Sequence, residues 1–148
     1  MGKEVARRGQ AVRTAIDANV FSAIWSWEPT AEQVVAKLGE ARAEGALVIS
    51  PFVFSELLAY PGATETYVRG FLEATGVQVD YRLEEGIWAE TGVRFARYAA
   101  RRRKATGEGP RRLLADFLIG AHALMQADRL LTLDAKVYQQ DFPEVRLL

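Results

Sequence analysis

The chain has 148 residues, 49% hydrophobic, 26% charged and 10% aromatic, with a formal net charge of zero, an ordinary composition whose length suits one globular domain over residues 1–148. The lack of cysteine excludes disulfides, thiolate-held zinc or iron–sulfur clusters and a thiol nucleophile, and a single histidine, His122, excludes a multi-histidine metal site. The basic start (Lys3, Arg7, Arg8) leads into no apolar run of signal-peptide length, and no segment approaches the ~18 apolar residues of a membrane span, so a cytoplasmic protein with no membrane partner is expected.

In chain order, a flexible polar tail over residues 1–10 precedes a strand predicted over 11–16 that ends at Asp17, with Asn19 placed to cap a short helix over 20–25. Thr30-Ala31-Glu32-Gln33 fits a capping box, and Val34, Val35, Leu38 and Ala41 give a helical stripe that Gly45 stops. A strand over 46–49 follows. Ser50 as N-cap with Pro51 in the first helical position starts a helix running to about residue 59, and Pro61-Gly62 breaks it. A helix over 65–75 turns Tyr67, Val68, Phe71 and Leu72 inward and ends at Gly76. A short strand is predicted over 77–81. The long helix over 83–104 carries Ile87, Trp88, Thr91, Phe95, Tyr98 and Ala99 on one face, and residues 105–110 form a break. A helix over 114–127, a strand over 130–133, a short turn or helix over 135–139 and a last strand over 145–147 complete the chain. Strands alternating with helices predict a three-layer α/β/α sandwich around a mostly parallel sheet.

The zero net charge conceals a segregation. Residues 94–112 hold eight bases against one acid, Glu108, so this stretch carries +7 and the other 129 residues carry −7. Arg101, Arg102, Arg103, Arg111 and Arg112 offer a positive strip to a polyanion. The same run also reads as the solvated end of a helix, where cations suit the dipole.

Four carboxylates stand in apolar surroundings at element ends. Asp17 closes the first strand, at the carboxyl end where α/β sheets place their sites. Glu56 has Phe52 and Tyr60 as its turn neighbours, and an unpaired carboxylate buried there costs several kcal/mol. Asp116 opens a helix whose core stripe is Phe117, Leu118, Ala121, Leu124 and Met125, while Asp116, Gly120 and Ala123 form a second, small-residue face with the shape of a pocket wall. Asp134 closes Leu130-Leu131-Thr132-Leu133-Asp134, where alternation places Thr132 beside it, able to orient its carboxylate. Asp17, Asp116 and Asp134 are each explained alone by a cap or turn, a helix dipole and a strand-end turn, whereas Glu56 needs a cation or a hydrogen-bond partner. Together they repel and stay ionised only around a cation, and all-oxygen ligands select a hard ion, Mg²⁺ or Mn²⁺. Such an ion supports phosphodiester hydrolysis.

The motifs Ala15-Ile16-Asp17-Ala18-Asn19-Val20, Ser50-Pro51 with Ser55-Glu56-Leu57, Leu114-Ala115-Asp116-Phe117-Leu118-Ile119-Gly120-Ala121 and Leu131-Thr132-Leu133-Asp134, in that order, resemble PIN-domain ribonucleases, above all the toxin component of VapBC toxin–antitoxin pairs. The resemblance covers nearly the whole chain, including the closing Tyr138, Phe142 and Pro143. It implies that Asp17, Glu56, Asp116 and Asp134 bind the metal and catalyse, with Asn19 and Thr132 as polar support. It further implies a Mg²⁺-dependent endoribonuclease that attacks with metal-activated water and leaves a 5′-phosphate and a 3′-hydroxyl, forms a homodimer and is inhibited by an antitoxin protein. Ala18, where such toxins often have Thr or Ser, and Gly120, where Ala is common, depart from the pattern without removing a ligand.

His122 lies six positions from Asp116, ~240° around a helix at ~100° per residue, and so points away from the acids as a structural residue. Trp25, Trp27 and Trp88 are candidates for base stacking, but Trp88 fits the core stripe and the other two fit an interface equally well. Two further readings are a PIN-like RNA-processing nuclease without an antitoxin and a non-catalytic RNA- or protein-binding module. A receiver-type phosphoacceptor domain would need a placed lysine, and only Lys136 is near.

Overall fold

A computed structural model describes residues 11–148, so the predicted tail over 1–10 lies outside the described residues. The elements are β1 (Thr14–Ile16), α1 (Ala18–Trp25), α2 (Ala31–Glu44), β2 (Leu47–Ile49), α3 (Pro51–Leu57), α4 (Glu65–Thr75), β3 (Val77–Val79), α5 (Glu85–Thr106), α6 (Leu114–Gln126), β4 (Arg129–Leu131) and α7 (Ala135–Asp141). The four strands form one parallel sheet in the order β3-β2-β1-β4, with Ala15 opposite Val48 on one side and Leu130 on the other. Every residue of β1, β2 and β4 is buried, which a strand achieves only when helices cover both faces. The fold is the predicted α/β sandwich.

Local chemistry sets the boundaries. Ser50 has extended backbone and its hydroxyl accepts the Val53 N–H at 3.3 Å, with Pro51 in the first turn of α3. Thr64 caps α4 in the same way at 3.1 Å, and Gly76 closes it with φ of 75°. The capping box predicted at Thr30 does not form, because Thr30 is itself helical (φ −85°, ψ −4°) and its side chain makes no cap bond. Asn19 is not the cap of α1 either. That helix begins at Ala18, Asp17 takes the N-cap position, and the Asn19 side chain turns elsewhere. Gly45 is needed for close packing: a Cβ there would lie 2.2 Å from the Val12 carbonyl oxygen. The predicted final strand over 145–147 shrinks to one parallel bridge, Leu147 to Leu130.

Several predicted inward faces are too wide. In α2 the buried stripe is Ala31, Val34, Leu38 and Ala41, and Val35 is 45% exposed. Met125 and Tyr67 are also largely exposed. In α5 only Ile87 and Thr91 are buried, because α6 covers a narrow strip of this long helix, and Trp88 stands 55% exposed. Gly120 does not leave a gap beside Asp116. The ring of Phe142 occupies the space, and a Cβ at 120 would lie 2.4 Å from it.

Candidate active site

All four strands run in one direction, so their carboxyl ends share one edge, and Asp17 leaves β1 at the middle of it. The carboxylate is 7% exposed. Its Oδ2 accepts hydrogen bonds from Thr132 Oγ1 at 2.9 Å, the Tyr138 hydroxyl at 2.9 Å and Asn19 Nδ2 at 3.4 Å. Asn19 Nδ2 also lies 3.4 Å from Thr132 Oγ1, and its Oδ1 accepts the Leu133 N–H. The predicted supports Asn19 and Thr132 therefore act on Asp17. Thr132 meets Asp134 only through the Asp134 backbone N–H, because β4 ends at Leu131 and the strand alternation expected through 134 stops there. Tyr138 is a residue of this site that no spacing rule marked: it comes from α7 and is 1% exposed.

Three of the acids influence one another electrostatically. Burial pushes the Asp17 carboxyl above the ordinary aspartate range, the bonds from Tyr138 and Thr132 pull it back, and the charge of Asp116 pushes it further up. Glu56, on α3, is raised by burial and then by Asp17 and Asp116. Asp116 is raised by burial and by Asp134, against the pull of Arg112, whose Nε lies 3.8 Å from its carboxylate. The Tyr138 hydroxyl is pushed strongly up by burial and by Asp17, and stays a protonated donor. All four predicted acids are thus joined, Asp134 through its effect on Asp116.

Glu56 and Asp134 have exposed side chains, and among the described residues no three carboxylate or histidine groups close on one point as an ion requires. The donor set itself fits a hard divalent cation: it is all oxygen, its charges oppose one another, and among the described residues Arg112 is its one ion-pair partner.

The match to a family model decides the identity: the PIN-domain model covers residues 14–143. The chain belongs to the PIN-domain family. Members of that family are generally nucleases. Two crystal structures share the fold, one titled as VapBC2 from Rickettsia felis bound to a DNA fragment from their promoter, the other as VapBC-1 from nontypeable Haemophilus influenzae. The first match has 14% identity and a TM-score of 0.60, covering 92% of this chain and 97% of that one. The second has 20% identity and a TM-score of 0.62, covering 92% and 96%. No curated protein sequence matches this PIN domain.

Elsewhere in the PIN domain, His122 is 1% exposed and its Nε2 sits 2.9 Å from Asp80 Oδ2. Gln126 donates to the same oxygen at 2.6 Å and Arg13 pairs with it at 3.2 Å. Burial pulls the imidazole below its ordinary pKa against the pull of Asp80. Asp80 ends below the aspartate range: burial would raise it, but the bonds from His122 and Gln126 and the charges of His122 and Arg13 prevail. This cluster ties β3 and α6 to the start of β1 without touching the acids. The predicted basic strip is less free than its sequence suggests. Arg101 and Arg112 both pair with buried Asp141, Arg102 binds Glu108 and the Gly109 carbonyl, and Arg94 binds Glu90 and Glu144. Arg103 and Arg111 remain exposed, with no ion pair among the described residues. Trp25 packs against Phe21, Tyr60, Tyr67 and Phe71, whereas Trp27 is 63% exposed.

Proposed function

We propose that this single PIN domain is a Mg²⁺-dependent endoribonuclease, with Mn²⁺ as the alternative ion, acting as the toxin of a type II toxin–antitoxin pair. The reading is supported above all by the four electrostatically linked acids around Asp17. Asp17, Glu56, Asp116 and Asp134 would hold the ion. Bound there, it would lower the pKa of a water and stabilise the leaving alkoxide, so that hydrolysis leaves a 5′-phosphate and a 3′-hydroxyl.

The chain's own groups have separable tasks in this proposal. Thr132, Tyr138 and Asn19 fix Asp17 as a charged, immobile donor. Arg112 offsets the charge of Asp116 until an ion replaces it. The exposed Arg103 and Arg111 are the strip residues available to RNA phosphates, whose neutralisation supplies most non-specific affinity. The partners proposed are RNA, an antitoxin protein that covers the acids, and a second copy of the chain in a homodimer, all in the cytoplasm. The likeness in fold to two VapBC structures favours the antitoxin, and the adjacent reading frame would identify it.

The test is incubation of purified protein with total RNA in Mg²⁺ or in EDTA, with mapping of the cleaved ends. Cleavage in Mg²⁺ alone, with 5′-phosphate ends, is expected. It should be lost in Asp17→Asn, Glu56→Gln, Asp116→Asn and Asp134→Asn proteins that melt normally. Cleavage that persists in EDTA, or in all four variants, overturns the reading.

A further inference from the structure

The sheet edge that carries Asp17 does not end at the acids. Along it, the chain leaving β3 supplies Tyr81 and Leu83, the chain leaving β2 supplies Pro51 and Phe52, β1 supplies Asp17, and β4 supplies Thr132 and Asp134. From β3 to β1 is two strand spacings, ~10 Å. At the β3–β2 end lies a groove of about 500 Å³ whose walls include Phe52, Ser55, Tyr81, Leu83 and Trp88. Phe52 and Ser55 sit on α3 with Glu56, and Phe52 is one helical turn before that acid, on the same face.

The rings of this groove stand open. Tyr81 is 63% exposed, Trp88 55% and Phe52 39%, and none of the three stacks on another aromatic among the described residues. Large exposed rings clustered in one concavity mark a binding surface. A nuclease strand whose phosphodiester lies over Asp17 and Asp116 must continue past them, and along this edge the next feature it meets is the groove. Flat rings suit the faces of unpaired bases, since every base has a π-face. A cation stands at the same end: Arg82 is exposed between Tyr81 and Leu83. It suits the phosphate of the stacked nucleotide.

We propose that the groove formed by Phe52, Tyr81 and Trp88 is a base-stacking subsite for unpaired nucleotides of the RNA held at the acids. This rests on the ribonuclease reading above. The test needs no cleavage: a short labelled single-stranded oligoadenylate is titrated in EDTA and low salt against wild type, Trp88→Ala, Tyr81→Ala and Trp88→Phe. Affinity should fall about tenfold in each alanine variant and by less in Trp88→Phe. Wild-type indole emission should be quenched on binding, and the quench should vanish in Trp88→Phe. A duplex of the same length should bind all four proteins alike. The proposal is overturned if alanine variants that melt like wild type keep wild-type affinity, or if the quench survives in Trp88→Phe. The face would then suit a protein partner, a basic segment meeting the exposed Glu84 and Glu85 at the start of α5. If wild type binds no oligoadenylate, the subsite falls, while the ribonuclease reading stands or falls on the Mg²⁺ cleavage assay above.

Discussion

Asp17 is a carboxyl group held almost out of water, with three donors converging on a single oxygen. An ionised carboxylate buried without them would cost several kcal/mol. The Tyr138→Phe substitution removes one donor with little change of shape. It should destabilise the fold by ~1–3 kcal/mol and raise the Asp17 pKa further, because the lost bond favoured the charged form. The acid limb of the cleavage profile should therefore move to higher pH. An unchanged profile in a folded Tyr138→Phe enzyme would separate Asp17 ionisation from activity. The acids were legible in the sequence because a carboxylate among apolar neighbours is conspicuous. Their partners were not: Tyr138 lies 121 residues from Asp17, Asp80 is 42 from His122, and Asp141 is 40 and 29 from its two arginines. No local pattern encodes such pairs.

At the level of elements, α6 reads differently from its sequence. The small face carrying Gly120 serves packing, since Phe142 fills the position of a side chain. Gly120→Ala should cost ~1–3 kcal/mol by overpacking, lowering the melting temperature by several degrees. A smaller side chain at 142, as in a Gly120→Ala, Phe142→Leu double variant, should recover part of the loss. The helix periodicity was legible, but which part of each apolar arc a neighbour covers was not, hence Trp88 outside and Val35 half outside. The strip on α5 divides for the same reason. Arg101 and Arg112 are committed to Asp141, so replacing them should lower stability, whereas Arg103→Gln with Arg111→Gln should leave melting unchanged. That double variant should weaken RNA binding and reduce its salt slope by ~0.7 for each contact to a single strand. An unchanged slope would place the RNA backbone elsewhere.

The molecule as a whole carries the cost of burying acids that also repel one another. Folding raises the pKa values of Asp17, Glu56 and Asp116, so the folded state binds protons more readily than the unfolded chain there. Stability from these groups falls as pH rises from the ordinary carboxylate range, ~4, through the raised values, and the full penalty stands above them. His122 has the opposite sign: its pKa is lowered, so its contribution is intact above the ordinary histidine range, ~6.5, and is lost as pH falls through it. Asp116→Asn should therefore melt higher than wild type in EDTA at neutral pH, and the gap should narrow on acidification as wild-type Asp116 takes up its proton. Millimolar Mg²⁺ should stabilise wild type more than the variant. A lower melting point for Asp116→Asn in neutral EDTA would mean that Asp116 serves the helix dipole. The strand order carries a consequence for the newborn chain. β1 appears early in synthesis, yet its β4 neighbour and two of the three side chains that clasp Asp17, Thr132 and Tyr138, are more than 110 residues further along. On the ribosome Asp17 waits, solvated and solitary, while α1 to α6 emerge. The acid cluster therefore closes late, only once β4 and α7 have been made.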